Sequence, residues 1–148
     1  MVVLGKSCKI LSNWEGKWYL KLDLDWAYEK RKVHISILTY IDDALKRFNH
    51  EKPRKPQYYP YPHIKLVYGE KAQFLDPEEI SEILSQADKK FIQEVTGTFL
   101  CYSQVVDATM LPALGYIASQ QANPTERTMQ KSKQLIDYAA THPDAIIT

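Results

Sequence analysis

The sequence predicts an α+β fold: a small antiparallel β-meander followed by a mostly helical part. Three observations point there. Residues 18–37 alternate apolar and polar side chains with period two, as half-buried strands do. From residue 39 onward the apolar spacing changes to three and four, the helical repeat. Four of the eight prolines fall within residues 51–63, which rules out helix there and separates the first helix from those after residue 76.

In chain order, "CKILS" (8–12) reads as a short first strand, and "NWEG" (13–16) as a turn whose glycine can take a positive φ. Trp18, Leu20, Leu22, Leu24 and Trp26 alternate with Tyr19, Lys21, Asp23 and Asp25, which predicts one strand with an apolar and a polar face. After the charged turn "YEKRK", Val33, Ile35 and Ile37 alternate with His34 and Ser36, completing a hairpin and a three-stranded meander over 8–37. Ile41, Ala44, Leu45 and Phe48 form one face of a helix over 39–50. Thr39 is its expected cap, Asp42 and Asp43 lie in its first turn, and Lys46 and Arg47 lie near its end.

Residues 51–75 form an extended connection rich in proline and tyrosine. Lys52, Arg54 and Lys55 beside Tyr58, Tyr59 and Tyr61 suit contacts to a nucleic-acid backbone and its bases, and "PRKP" also fits the loose proline pattern of SH3 ligands; a linker with its tyrosines packed down accounts for the same residues. Beyond it, Asp76, Pro77 and Glu79 open a short helix to about 85, stapled by Leu75 and Ile80. Ser85 with Asp88 starts the next, which carries Phe91, Ile92, Val95, Phe99 and Tyr102 to about 106 and is interrupted by Gly97. Asp107 caps a third, with Met110, Leu111, Leu114, Ile117 and Ala118 and a Pro112 able to kink its start. Asn123 and Pro124 open a fourth that ends at His142-Pro143. "AIIT" (145–148) reads as the beginning of a strand with no partner in the chain.

At 148 residues, 45% hydrophobic and 25% charged, the chain suits a single domain with a modest core. A net charge of +1 supplies no global field towards nucleic acid, so any such contact rests on local patches. Cys8 and Cys101 lack metal-ligand spacing and fit free thiols, with Cys101 expected in the core between Phe99 and Tyr102. No apolar run approaches the roughly 20 residues of a membrane span, and the N-terminus carries no recognisable export signal. The expected location is intracellular, cytoplasm or nucleus, with no membrane partner. No Gly-rich phosphate loop, Gly-x-Ser-x-Gly or His-Glu-x-x-His occurs, and the four histidines are scattered.

Tyr40-Ile41-Asp42-Asp43 matches the Tyr-x-Asp-Asp string of polymerase active sites. Two-metal chemistry needs those aspartates on a hairpin turn, together with a third carboxylate from another strand. Here the residues downstream have helical spacing, so the pair reads as a helix start. No catalytic residue and no metal ligand is expected, and no cofactor in this chain.

The order of these pieces resembles a known family. "WEGKWYLKLDLDWAYEKRKVHIS" with "YIDDALKRFNH" is similar to the segment after the catalytic motif in copia-type retrotransposon reverse transcriptases, and "FIQEVTGTFLCYSQVVDATMLPALGYIASQQANPTERTMQKSKQLIDYAATHPDA" is similar to the stretch leading into ribonuclease H. The resemblance spans about residues 10–147. It implies a primer-grip β-meander (1–38), a helix (39–50), a connection (51–75), and a helical thumb with a lead-in to ribonuclease H (76–148). Both sets of catalytic carboxylates, and the Mg2+ the parent enzyme uses, would lie elsewhere. It further implies contact with primer–template through Tyr19, Leu20 and Lys21 at the primer grip and through Gln93, Gly97 and Thr98 on the thumb helix. The rest of the polymerase polyprotein would be a partner. Three departures stand out: Lys21 replaces a usual glycine, "SILTY" lacks a common Pro-Gly, and a basic residue often found near Gln104 is missing. The methionine at residue 1 fits a reading frame from a broken element. A non-enzymatic protein-interaction module and a functionless relic remain the alternatives.

Overall fold

The computed structural model describes residues 13–62 and 83–148. The first strand read at 8–12 and the helix start at 76–82 lie outside them; the three residues before Gln86 are not helical. Three antiparallel strands, β1 (Trp18–Tyr19), β2 (Leu22–Ala27) and β3 (Lys32–Ser36), form a sheet in the order β1-β2-β3. Four helices follow: α1 (Tyr40–Phe48), α2 (Gln86–Val105), α3 (Leu111–Ser119) and α4 (Glu126–Thr141). The architecture is α+β, as the change of period indicates.

The sheet differs from its expected form in one respect. The run from Trp18 to Trp26 is not a single strand; it folds back at Leu20-Lys21. Both residues have positive φ, 49° and 69°, the backbone signature of a two-residue type I′ hairpin turn, and Tyr19 pairs with Leu22 across it. The reversal moves Trp18 opposite Asp23, onto the polar face, and puts Tyr19 on the side of Leu22, Leu24 and Trp26. Period-two patterning cannot detect this, because a tight turn preserves the alternation on both sides. The preceding turn forms as expected: Gly16 has φ 61°, its amide donates to the Asn13 carbonyl, and its own carbonyl accepts from Trp26 Nε1 at 2.7 Å.

The helices make the core. α2 packs on α3 and α4, and α1 packs on α4. Ile92, Val95, Phe99 and Tyr102 of α2 meet Ile41 and Leu45 of α1, Leu114 and Ile117 of α3, and Leu135 and Ile136 of α4, all essentially buried. Burial of each such side chain contributes about 1.5–3 kcal/mol. The α2 start is as the sequence indicates: Ser85 Oγ accepts from the Asp88 amide and donates to the Asp88 carboxylate. Pro112 sits in the first turn of α3, where its missing N–H is harmless.

Four local expectations are corrected. Thr39 does not cap α1 with its hydroxyl; it adopts φ 63° and hands the chain over from β3. The α4 cap is Thr125, in a reciprocal box with Thr128, because the Pro124 carbonyl is taken by the Leu84 amide and holds the preceding residues extended. Cys101 is exposed, since it projects from α2 on the side opposite Phe99 and Tyr102. The C-terminal segment has a partner: Ile147 and Ile35 exchange both backbone hydrogen bonds, at 2.9 and 3.0 Å, and His34 Nδ1 meets Thr148 Oγ1 at 2.7 Å. The chain thus begins a fourth strand on the free edge of β3.

Candidate nucleic-acid interface

Tyr40, Asp42 and Asp43 take structural positions. The Tyr40 ring stacks on Tyr102 with centroids 5.4 Å apart, and its hydroxyl donates to the Thr98 carbonyl at 2.6 Å. Burial holds its phenol above the usual tyrosine range, with Cys101 adding to the shift and Arg47 opposing it. Asp42 and Asp43 are exposed in the first turn of α1. Asp42 pairs with Lys52 at 3.1 Å and Asp43 with Lys46 at 3.6 Å. Of the two strand carboxylates that could supply a third, Asp23 and Asp25, Asp23 instead accepts the Leu38 amide at 3.2 Å. Among the described residues no group of three or more His, Cys, Asp or Glu side chains converges to hold a metal. No helix among them is long and apolar enough to cross a membrane.

The candidate contact residues occupy two separate places. Gln93 and Gly97 lie on the solvent-facing side of α2, and Thr98 is half-buried at its margin. Leu100, Cys101 and Gln104 extend the same exposed stripe towards the helix end. Helical spacing from Gln93 and Gly97 already implied those three positions. From Gln93 to Gln104 the stripe is uncharged, and Lys90, seven residues before Gly97, continues the same face. Its flank carries Glu94, bracketed by Arg47 at 3.7 Å and Lys90 at 3.9 Å. Among the described residues, a Cβ built on Gly97 would meet nothing within 4 Å, so none of their packing requires glycine there.

Tyr19, Leu20 and Lys21 form the tip of the β1–β2 hairpin, all exposed, with Leu20 at 76%. Trp18, Trp26 and Tyr28 are also open to solvent, the last two stacked with centroids 5.8 Å apart. Among the described residues no hydrogen bond, ion pair or ring contact joins this tip to the α2 stripe. Each is a distinct patch on the surface.

A third surface was only half legible in the sequence. Residues 51–62 are irregular, as expected, but they are fastened to α4. The Gln57 amide donates to Thr141 Oγ1 at 3.0 Å, Gln134 Nε2 reaches the Tyr59 carbonyl at 3.2 Å, and Pro60 is buried. His50, just before this segment, pairs with Asp137 of α4 at 2.7 Å. The tyrosines nevertheless do not pack down: Tyr58 and Tyr59 are each 66% exposed and Tyr61 48%. No protein-family model, curated protein or solved structure matches the chain.

Proposed function

We propose that the chain is a non-catalytic part of a copia-type retrotransposon reverse transcriptase, an RNA-directed DNA polymerase, that touches primer–template duplex through the α2 stripe and the β1–β2 tip. The observation that carries this is Gly97. A glycine inside an exposed helix costs about 0.5–1 kcal/mol relative to alanine. Here no packing contact among the described residues demands it. A bare stretch of helix backbone beside Gln93 and Thr98 lets a sugar or phosphate approach more closely than any side chain would allow. Position 21 adds support. The resemblance places glycine there, and the backbone at Lys21 has φ 69°, the conformation glycine tolerates best.

The charge sets the strength. With a net charge of +1 and two or three usable cations, the log–log salt slope is about −2 to −3, and binding at physiological salt falls in the non-specific range of about 10⁻⁴ to 10⁻⁶ M. The test is fluorescence anisotropy with a labelled RNA–DNA hybrid, comparing wild type with Gly97→Leu and Lys21→Gly. Loss of affinity in Gly97→Leu with the fold intact supports the stripe. Unchanged affinity in both variants removes the proposal and favours a protein-docking role for these surfaces.

A further inference from the structure

We infer that the proline–tyrosine segment 51–62 is a second, separate binding site, for single-stranded nucleic acid. Four prolines restrict φ along the segment. Gln57, the Tyr59 carbonyl and the buried Pro60 tie it to α4. The Gln57 side chain also donates to the Tyr59 carbonyl at 2.9 Å, bracing the backbone that carries the rings. Tyr58 rests against the His142 ring, with centroids 6.1 Å apart. The backbone is therefore set in advance, while three phenol rings within four residues face solvent. Single exposed aromatics are ordinary on protein surfaces; three on one fastened strip offer several bases a ring to stack on.

The charge beside the rings selects the ligand. Lys52 is engaged by Asp42 at 3.1 Å, and Asp137 by His50 at 2.7 Å. Arg54 and Lys55 are exposed, and among the described residues neither forms an ion pair. Glu51 is the one carboxylate within the segment itself. Flat rings next to two exposed cations that no described carboxylate pairs match unpaired bases on a phosphate backbone, because every base has a face to stack and every linkage carries a negative charge. In duplex the base faces are covered, so this surface discriminates against the ligand proposed for α2. The inference stands independently of that proposal.

The test uses the full chain and a fluorescein-labelled dT12, read by anisotropy at low salt. Tyr59→Ala/Tyr61→Ala removes exposed rings and leaves the anchoring backbone in place; circular dichroism verifies the fold. It is expected to weaken dT12 binding about tenfold or more, at about tenfold per stacked base. Tyr59→Phe/Tyr61→Phe, which keeps the rings, retains binding. Arg54→Gln/Lys55→Gln reduces the log–log salt slope by about 1.4, at about 0.7 per single-strand phosphate contact. Gly97→Leu leaves dT12 binding unchanged, so failure of the duplex proposal is distinguishable from failure of this one. The inference is overturned if dT12 does not bind, if the double alanine variant binds like wild type, or if duplex competes as well as dT12. A segment that serves instead as a proline-rich peptide for a partner domain gives the first of these results.

Discussion

Replacing Gly97 with alanine separates what the helix needs from what a ligand needs. The position is exposed and mid-helix, and no described residue comes within 4 Å of a new Cβ. Gly97→Ala therefore gains helix propensity, about 0.8–1.0 kcal/mol, without steric cost. The unfolding entropy of a chain of 148 residues is about 0.3 kcal/mol/K, so the melting temperature should rise by about 3 °C. Calorimetry or thermal circular dichroism measures the shift, and urea unfolding with an unchanged slope confirms it as a stability effect. Duplex affinity should fall in the same variant, because a methyl group now stands where the backbone was bare. A melting temperature that stays level or drops would falsify the open-face geometry. A stabilised protein with undiminished affinity would leave the geometry standing and remove the reason for a glycine.

Asp137→Ala breaks the part-buried pair with His50 that fastens the end of α1 to α4; a loss of about 1–2 kcal/mol is expected in urea unfolding, with Asp137→Asn losing less. Tyr40→Phe removes the hydroxyl bond to the Thr98 carbonyl and should cost about 1 kcal/mol by the same measurement. The phenols of Tyr40 and Tyr102 are both held above the usual tyrosine value, chiefly by burial. Their neutral forms stabilise the fold fully below about pH 10, and that contribution disappears as pH rises through their raised values. Absorbance at alkaline pH should show two tyrosines lagging behind the exposed ones, and a simple single titration would contradict their burial. In a Cys8→Ser background, Cys101 should react with a disulfide reagent in the native state; a thiol reached only after denaturation would place it in the core after all.

Local chemistry was the legible part of this chain. The apolar stripe of α2 and the Ser85–Asp88 cap depend on neighbours three or four residues apart, and spacing in the sequence reports such neighbours directly. The turn at Leu20-Lys21 escaped notice because neither residue is one that usually accepts positive φ. Cys101 was misplaced by adjacency to Phe99 and Tyr102, although the helical repeat puts it on the other side. Asp137 beneath His50, Thr141 beneath Gln57 and Ile147 beside Ile35 are tertiary choices, and no periodicity encodes them. The α2 stripe was thus readable as a face. Its openness, and the fastening of the tyrosine segment, required the three-dimensional arrangement.

The pairing of the last residues with β3 also ties the sheet to the far end of the chain. Thr148 meets His34 across 114 positions of chain. Closing a loop of that length costs about 2 kcal/mol more in chain entropy than closing one of about ten residues. The β1–β2–β3 hairpins close locally, and α1 to α4 collapse on one another through their own apolar faces. Once α1 and α4 are packed, with His50 on Asp137, most of that loop is already closed, and the Ile35–Ile147 bridge adds little further entropy cost. As an isolated bridge with Ile147 exposed, it is expected to open more readily than the buried helical core, and each opening frees the sheet from the C-terminal tether. Hydrogen exchange at the Ile35 amide, which donates to the Ile147 carbonyl, would time that event.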